Sequence, residues 1–315
     1  MKPLKVVLMG TTDFAVPALD RLVEAGHQVL SVVCQPDRPN KRGNKICFLP
    51  VKKRALALGI PVFQPERIKT PEAVAHLKAL EADIFVVAAY GQILSEEILY
   101  MPPMGSVNIH GSLLPEYRGA APVHHAILDG KDESGVTIMK MDIGMDTGDM
   151  LSKARVPITE ETTVGQLHDA LAELGADLLL MTLQEMVEGS IVPEKQEEAK
   201  ATYADKVDRD TGRINWSRTT HEVLRKINGT DPFPGAYTTL DGLKIKCFSP
   251  KIQGNETPGH PGQILKADIH SGLVVKTADG SLTIGEIQMP GKKRMETKDY
   301  LRGNTLEIGR ILGKA

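Results

Sequence analysis

Over residues 5–89 the chain alternates short apolar runs with amphipathic stretches, and this alternation leaves few folds open. Residues 5–9, 29–33, 61–63 and 84–89 read as strands. Residues 14–24, 51–58 and 71–80 read as helices, the first with Pro17 in its opening turn and Gly26 as its stop. Strands joined through helices pair in parallel by right-handed crossovers. The expected fold is therefore α/β: a Rossmann-like, mostly parallel sheet with helices on both faces. Ligands on such sheets bind beyond the carboxyl ends of the strands. The first turn, from Gly10 through Asp13, is not G-x-G-x-x-G, so the dinucleotide fingerprint is missing.

Residues 107–119 carry the clearest chemistry. Val107 and Ile109 are apolar with Asn108 and His110 alternating between them, so a strand would project Asn108 and His110 from one face. The chain then breaks at Gly111 and passes Pro115 and Gly119. An amide donor beside an imidazole, where a strand opens into a loop, suits a reacting carbonyl. The amide can stabilise developing negative charge and the imidazole can move or oppose a proton. Residues 135–141 form another strand-like run, followed by a loop that holds Asp146 between Gly144 and Gly148. A carboxylate there can orient His110, favour its charged form or accept a proton itself. No G-x-S-x-G surrounds Ser112, which disfavours a nucleophile-elbow hydrolase. His110, His124, His125 and Asp146 could be drawn as a metal-hydrolase set. However, the adjacent His124 and His125 would point apart on a helix, and no H-E-x-x-H occurs, so no metal is expected.

The stretch from Asn108 to Pro122, taken with Met141 to Asp149, closely resembles the folate-dependent formyltransferases, and among them the tRNA-acting branch. The similarity runs from Val6 to Lys293. It implies Asn108, His110 and Asp146 as the catalytic set. It places the co-substrate 10-formyltetrahydrofolate against Ser112, Leu113, Leu114 and Pro115, with Tyr90 and Gly91 helping to line the pterin pocket. The implied reaction is formyl transfer to the amino group of methionine on initiator methionyl-tRNA, for translation initiation. Residues 35–46 form a longer connection than usual between strand and helix, made basic by Arg38, Lys41, Arg42 and Lys45. It resembles the insertion that distinguishes the tRNA formyltransferases, with Arg42 matching its important arginine. Relatives acting on amino sugar nucleotides or glycinamide ribonucleotide are the nearest alternatives, and a noncatalytic RNA-binding module is a more distant one.

At 315 residues the chain suggests two domains: a catalytic one at 1–189, a polar linker at 190–208 and a C-terminal one at 209–315. Repeated Asp-Gly and Pro-Gly turns between β-like runs at 236–240, 244–248, 262–266, 272–276 and 281–288 suggest a small OB-type β-barrel. From Arg209 to Ala315 there are 17 Lys and Arg against 11 Asp and Glu, net +6, while residues 1–208 carry 21 against 29, net −8. A basic second domain fits a polyanion. Lys244, Lys246, Lys251, Lys292, Lys293 and Arg294 are the barrel's candidates for tRNA contact. The family's Asn-Pro-Trp-Pro is replaced here by Asp231-Pro232-Phe233-Pro234, which bears on local packing. Three unclustered cysteines and no visible signal peptide or membrane span point to a cytoplasmic protein, expected to be a monomer.

Overall fold

The computed structural model describes residues 2–39, 48–254 and 258–314, and the chain gathers into two compact units. The first comprises Met1–Pro122, Ser134–Val156 and His168–Ala204; the second comprises Val123–Glu133, Pro157–Leu167 and Asp205–Ala315.

Strands β1 (Lys5–Gly10), β2 (Gln28–Val33), β3 (Val62–Phe63), β4 (Ile84–Ala88) and β5 (Ser106–His110) precede the two-residue β6 (Arg118–Gly119), and β7 (Glu133–Lys140) and β8 (Met150–Pro157) follow it. All but β6 form one sheet, ordered β3-β2-β1-β4-β5-β7-β8. Pairing from β3 through β5 is parallel, and β5 pairs antiparallel with β7, placing Asn108 opposite Met139 and His110 opposite Thr137. The mostly parallel sheet expected from the sequence is thus present, with an antiparallel pairing beyond β5.

Helices α1 (Val16–Glu24), α2 (Pro50–Ala57) and α3 (Pro71–Ala79) each begin with a proline in the first turn, where its missing N–H costs nothing. A short α4 (Glu96–Leu99) leads into β5, and α5 (Pro122–Leu128) and the long α6 (Val164–Glu188) follow later. Val7, Met9, Phe85 and Val87 cluster with Leu77 of α3 on one face of the sheet. The alternate residues Val6, Leu8, Ile84 and Val86 are equally buried on the other, which is why these strands read as continuous apolar runs. Gly175 lets α6 approach β5, because a Cβ there would lie 2.7 Å from the Ile109 Cγ2 atom. Ile109 therefore faces α6, and Asn108 and His110 face away from it.

The polar stretch expected as a linker follows an ordered course along the first unit as far as Ala204. Glu194 exchanges two backbone hydrogen bonds with Met150, and β9 (Tyr203–Ala204) pairs in parallel with β6.

In the second unit, α7 (Thr220–Asn228) starts from a capping box of Thr219 and Glu222. Strands β10 (Tyr237–Leu240), β11 (Leu243–Gln253), β12 (Ile264–Asp268), β13 (Gly272–Lys276) and β14 (Ser281–Gln288) form a sheet ordered β10-β11-β14-β13-β12, to which β15 (Met295–Glu296) adds beside β14 and before α8 (Thr297–Leu301). Residues 309–313 join its two edges: Ile264 N–H donates to the Arg310 carbonyl, Leu312 N–H to Gly262 and Gly313 N–H to Thr239. That staple curls the sheet into a barrel-like layer. Trp216, Val223, Ile227, Cys247 and Ile287 fill its core. The Trp216 indole N–H also finds a buried partner, donating to Thr238 Oγ1 at 2.9 Å.

Candidate active site

Asn108, His110 and Asp146 come together in the first unit. His110 is buried, and its Nε2 lies 2.9 Å from the Tyr117 carbonyl. A carbonyl only accepts, so that nitrogen carries the proton in the neutral imidazole, and Nδ1 is the position left to bind or release one. Nδ1 faces Asp146 Oδ2 at 3.7 Å. That separation exceeds a hydrogen bond but suits charge stabilisation once His110 is protonated. Asp146 Oδ2 is itself held by the Gly119 N–H at 2.8 Å. Asn108, with 9% of its surface exposed, makes no side-chain hydrogen bond among the described residues, so its amide N–H groups remain available. One strand face thus presents an uncommitted donor two residues from an imidazole backed by a carboxylate.

The loop after β5 is built largely by internal bonds. Ser112 Oγ donates to the Glu116 carbonyl at 2.6 Å, and Thr137 Oγ1 both donates to the Ser112 carbonyl at 2.7 Å and accepts from Leu114 N–H at 3.1 Å. Ser112 and Leu114 are buried, while Leu113 and Pro115 are half-buried. The Tyr90 ring belongs to the core cluster, where burial pushes its phenol well above the usual range. Its contribution at the rim is backbone: its carbonyl accepts from Thr11 Oγ1 and Gln35 Nε2. Gly91 borders an open groove of about 630 Å³ lined also by Arg67, Lys69, Gln92 and Ile93.

The cations differ in how far they are already engaged. Lys41, Arg42 and Lys45 lie outside the described residues. Arg38 is exposed and pairs with Glu66 at 3.1 Å. Lys244 sits over the Tyr237 ring at 3.2 Å, and Lys246 donates to the Pro234 carbonyl at 2.8 Å. Lys251, Lys292 and Lys293 are exposed. Arg294 binds Asp231 at 2.8 Å and Glu286 at 2.5 Å and covers the Phe248 ring. Its Asp231 partner is the first residue of the substituted Asp-Pro-Phe-Pro segment, whose Phe233 is exposed.

Arg294 therefore has a measurable structural duty. Its hydrogen bond holds the Glu286 carboxyl below the usual range. A depressed carboxylate stabilises above its unfolded pKa, about 4.3, and loses that contribution as pH falls through the folded value. Arg294→Ala is expected to cost about 1–3 kcal/mol, less than for a fully buried pair because the guanidinium is partly exposed. Urea unfolding of parent and variant should show the difference at pH 7 and a narrower one at pH 3.5.

The sequence reading passed over a segment after α6 whose side chains contact the Asp146 loop. Gln196 Nε2 donates to the carbonyls of Asp146 and Gly148, and its Oε1 accepts from Arg118 Nε. His124 Nε2 and His125 Nε2 meet the Phe233 and Asp205 carbonyls, and no cluster of three metal-ligating side chains occurs among the described residues. No helix there is long and apolar enough to cross a membrane.

A strand that ends in Asn-x-His, with a carboxylate loop against it, suits transfer of a group at the carbonyl level. The Formyl transferase family model matches residues 4–183, and the model for its C-terminal domain matches residues 206–305, so the chain belongs to the formyl transferase family. Within it, the chain is 47% identical over 311 residues to the methionyl-tRNA formyltransferase of Alkaliphilus metalliredigens, covering 99% of each chain. It is 46% identical over 310 residues to that of Bacillus subtilis, covering 98% of each. Among solved structures, an N-formyltransferase from Helicobacter canadensis in complex with folinic acid and dTDP-3-aminofucose matches with TM-score 0.67 and 20% identity, over 93% of this chain and all of that one. HypX from Aquifex aeolicus in complex with tetrahydrofolic acid gives TM-score 0.67 and 18% identity over 95% of this chain, which spans 47% of that protein. These structural likenesses establish the fold.

Proposed function

We infer that the chain transfers the formyl group of 10-formyltetrahydrofolate to the free amino group of initiator methionyl-tRNA. The observation that carries this reading is the convergence of an uncommitted Asn108 amide, a His110 with Nδ1 open, and Asp146. The near full-length similarity to methionyl-tRNA formyltransferases supports the acceptor, and the folate ligands of two fold relatives support the donor.

The residues present fit this chemistry. The folate supplies an activated one-carbon group at the formyl oxidation level. Asn108 donates a hydrogen bond where negative charge develops on the formyl oxygen, an interaction whose loss commonly costs about 2–4 kcal/mol in barrier. His110 holds a proton at Nδ1, with Nε2–H kept in place by the Tyr117 carbonyl. Asp146 balances the imidazolium and orients it. As the amine's bond to the formyl carbon forms, the amine gives up a proton, and as that carbon's bond to the folate nitrogen breaks, the nitrogen takes one up; Asp146 and His110 form a pair through which it can pass. Leu113, Leu114, Pro115 and Gly91 supply apolar walls and backbone groups for the pterin. Arg38 with Lys41, Arg42 and Lys45, and Lys251, Lys292 and Lys293 on the barrel, supply cations for tRNA phosphates. A reaction that begins translation belongs in the cytoplasm.

Incubation with 10-formyltetrahydrofolate and, separately, charged initiator tRNA, glycinamide ribonucleotide and amino sugar nucleotides tests the reading. Formyl-methionyl-tRNA is the expected product. Formylation of a sugar nucleotide alone would assign the chain to a different branch of the family.

A further inference from the structure

Asp146 and His110 are both held by a segment far from them in sequence. Asp146 has φ 54°, in the left-handed region that costs an ordinary residue free energy and persists only when surroundings enforce it. Beside the loop's own bonds and the Gly119 N–H, one side chain from a distant segment holds its backbone. Gln196 Nε2 donates to the Asp146 carbonyl at 2.7 Å and to the Gly148 carbonyl at 2.8 Å. Which end of the amide faces the loop is fixed from behind, because Arg118 Nε donates to Gln196 Oε1 at 3.0 Å. Arg118 is fully buried, with 1% of its side chain exposed, and Nη1 reaches both carboxylate oxygens of Glu198 at 3.1 and 2.9 Å. Reversing the Gln196 amide would set its oxygen against two carbonyls and its NH₂ against a guanidinium.

The same segment fixes the imidazole. Thr202 Oγ1 accepts from Tyr117 N–H at 2.8 Å, and the Thr202 carbonyl accepts from Arg118 N–H at 2.8 Å. Tyr117, itself at φ 60°, carries the carbonyl bound by His110 Nε2. Gly119 N–H then closes the circuit on the Asp146 carboxylate. A ring of bonds runs from the Asp146 backbone through Gln196, Arg118 and Gly119 back to the Asp146 side chain, and a branch at Tyr117 reaches His110.

We propose that residues 194–204 are a strap that sets the His110–Asp146 geometry, with Gln196 as its central positioning residue. Gln196 bonds to Asp146, Gly148 and Arg118 and not to the imidazole, so it acts through Asp146. The proposal rests on reading His110 and Asp146 as the reacting pair. A carboxylate displaced by about an ångström can cost about a hundredfold in rate, so the strap should govern turnover more than binding.

The test is steady-state formylation of methionyl-tRNA by the full chain. Gln196→Met keeps the side-chain length but removes both donors; it should lower kcat by about 10- to 100-fold while the KM for 10-formyltetrahydrofolate stays within about threefold. Gln196→Asn, polar but too short to span both carbonyls, should give an intermediate loss and serves as the readout if the Met variant folds poorly. The decisive measurement is single-turnover rate in an Asp146→Ala background. If Gln196 acts through Asp146, Gln196→Met should then cost less than about twofold. An equal loss in both backgrounds overturns the proposal in favour of a general structural role. So does a kcat within twofold of the parent for both Gln196 variants. A parent with no turnover on methionyl-tRNA overturns the reaction itself; a turning-over parent with indifferent Gln196 variants overturns the strap alone.

Discussion

Asp146→Ala is expected to lower kcat for formyl transfer by about three orders of magnitude, with folate and tRNA affinities nearly unchanged. Carboxylates directly hydrogen-bonded to a reacting imidazole cost about 10⁴-fold when removed, and the longer 3.7 Å separation here sets the expected loss somewhat below that. Here the carboxylate stands 3.7 Å from Nδ1 and is pinned by Gly119, so its place is set before substrate arrives. Asn108→Ala should cost about 10²–10³-fold, the usual loss for one oxyanion donor. Both losses should appear in kcat and kcat/KM alike, because the interactions mature as charge develops. Pre-steady-state formylation at saturating tRNA reads the chemical step directly. Near-parental rates for either variant would remove that residue from the reacting set.

Gly148→Ala is also expected to have a large effect, by a different route. A Cβ on Gly148 would lie 1.7 Å from the Lys140 carbonyl oxygen and 3.3 Å from the Met139 Cε. Both are on β7, and Lys140 N–H is already bonded to the Asp149 carbonyl, so neither backbone can give way cheaply. Relief must come from moving the Asp146 loop, whose Gly148 carbonyl would also be drawn off Gln196. Overpacking of this kind typically costs about 1–3 kcal/mol, so a Tm lower by roughly 5 °C is expected. Activity should fall by about a hundredfold or more, because the carboxylate is displaced as well. Calorimetry together with the formylation assay checks both parts. Parental activity in this variant would mean that the loop tolerates a shift that its close approach to β7 does not suggest.

The sheet was legible because its strands announce themselves. A strand covered on both faces must be apolar throughout, and residues 84–88 are buried at every position. The candidate residues Asn108 and His110 stand out for the opposite reason: they interrupt an apolar strand at a spacing of two, on the face away from Ile109 and α6. The strap was not legible. Residues 194–204 are polar and aperiodic, and their contribution consists of single side chains reaching backbone groups some fifty and eighty positions earlier. No local pattern encodes such a contact. Arg118 stood inside a recognisable loop motif, yet nothing in its neighbours discloses that its guanidinium is sealed from solvent. Arg294 shows the same difficulty from the surface side. It ends a run of three cations that reads as one basic patch, but Asp231 and Glu286 lie against its guanidinium, while Lys292 and Lys293 remain exposed.

The staple at residues 309–313 also bears on how the protein is made. A ribosome reaches that segment only after every strand of the second sheet has been synthesised, and until then the edges at β10 and β12 have no partner. Residues 123–133 and 157–167, made much earlier, belong to the same unit and must wait for it as well. The first unit has all of its segments once Ala204 has emerged, so it can settle during elongation while the second is still open. Open strand edges are templates for unwanted pairing. The interval between synthesis of β10 and of the staple is therefore when the nascent chain is most exposed to misassembly.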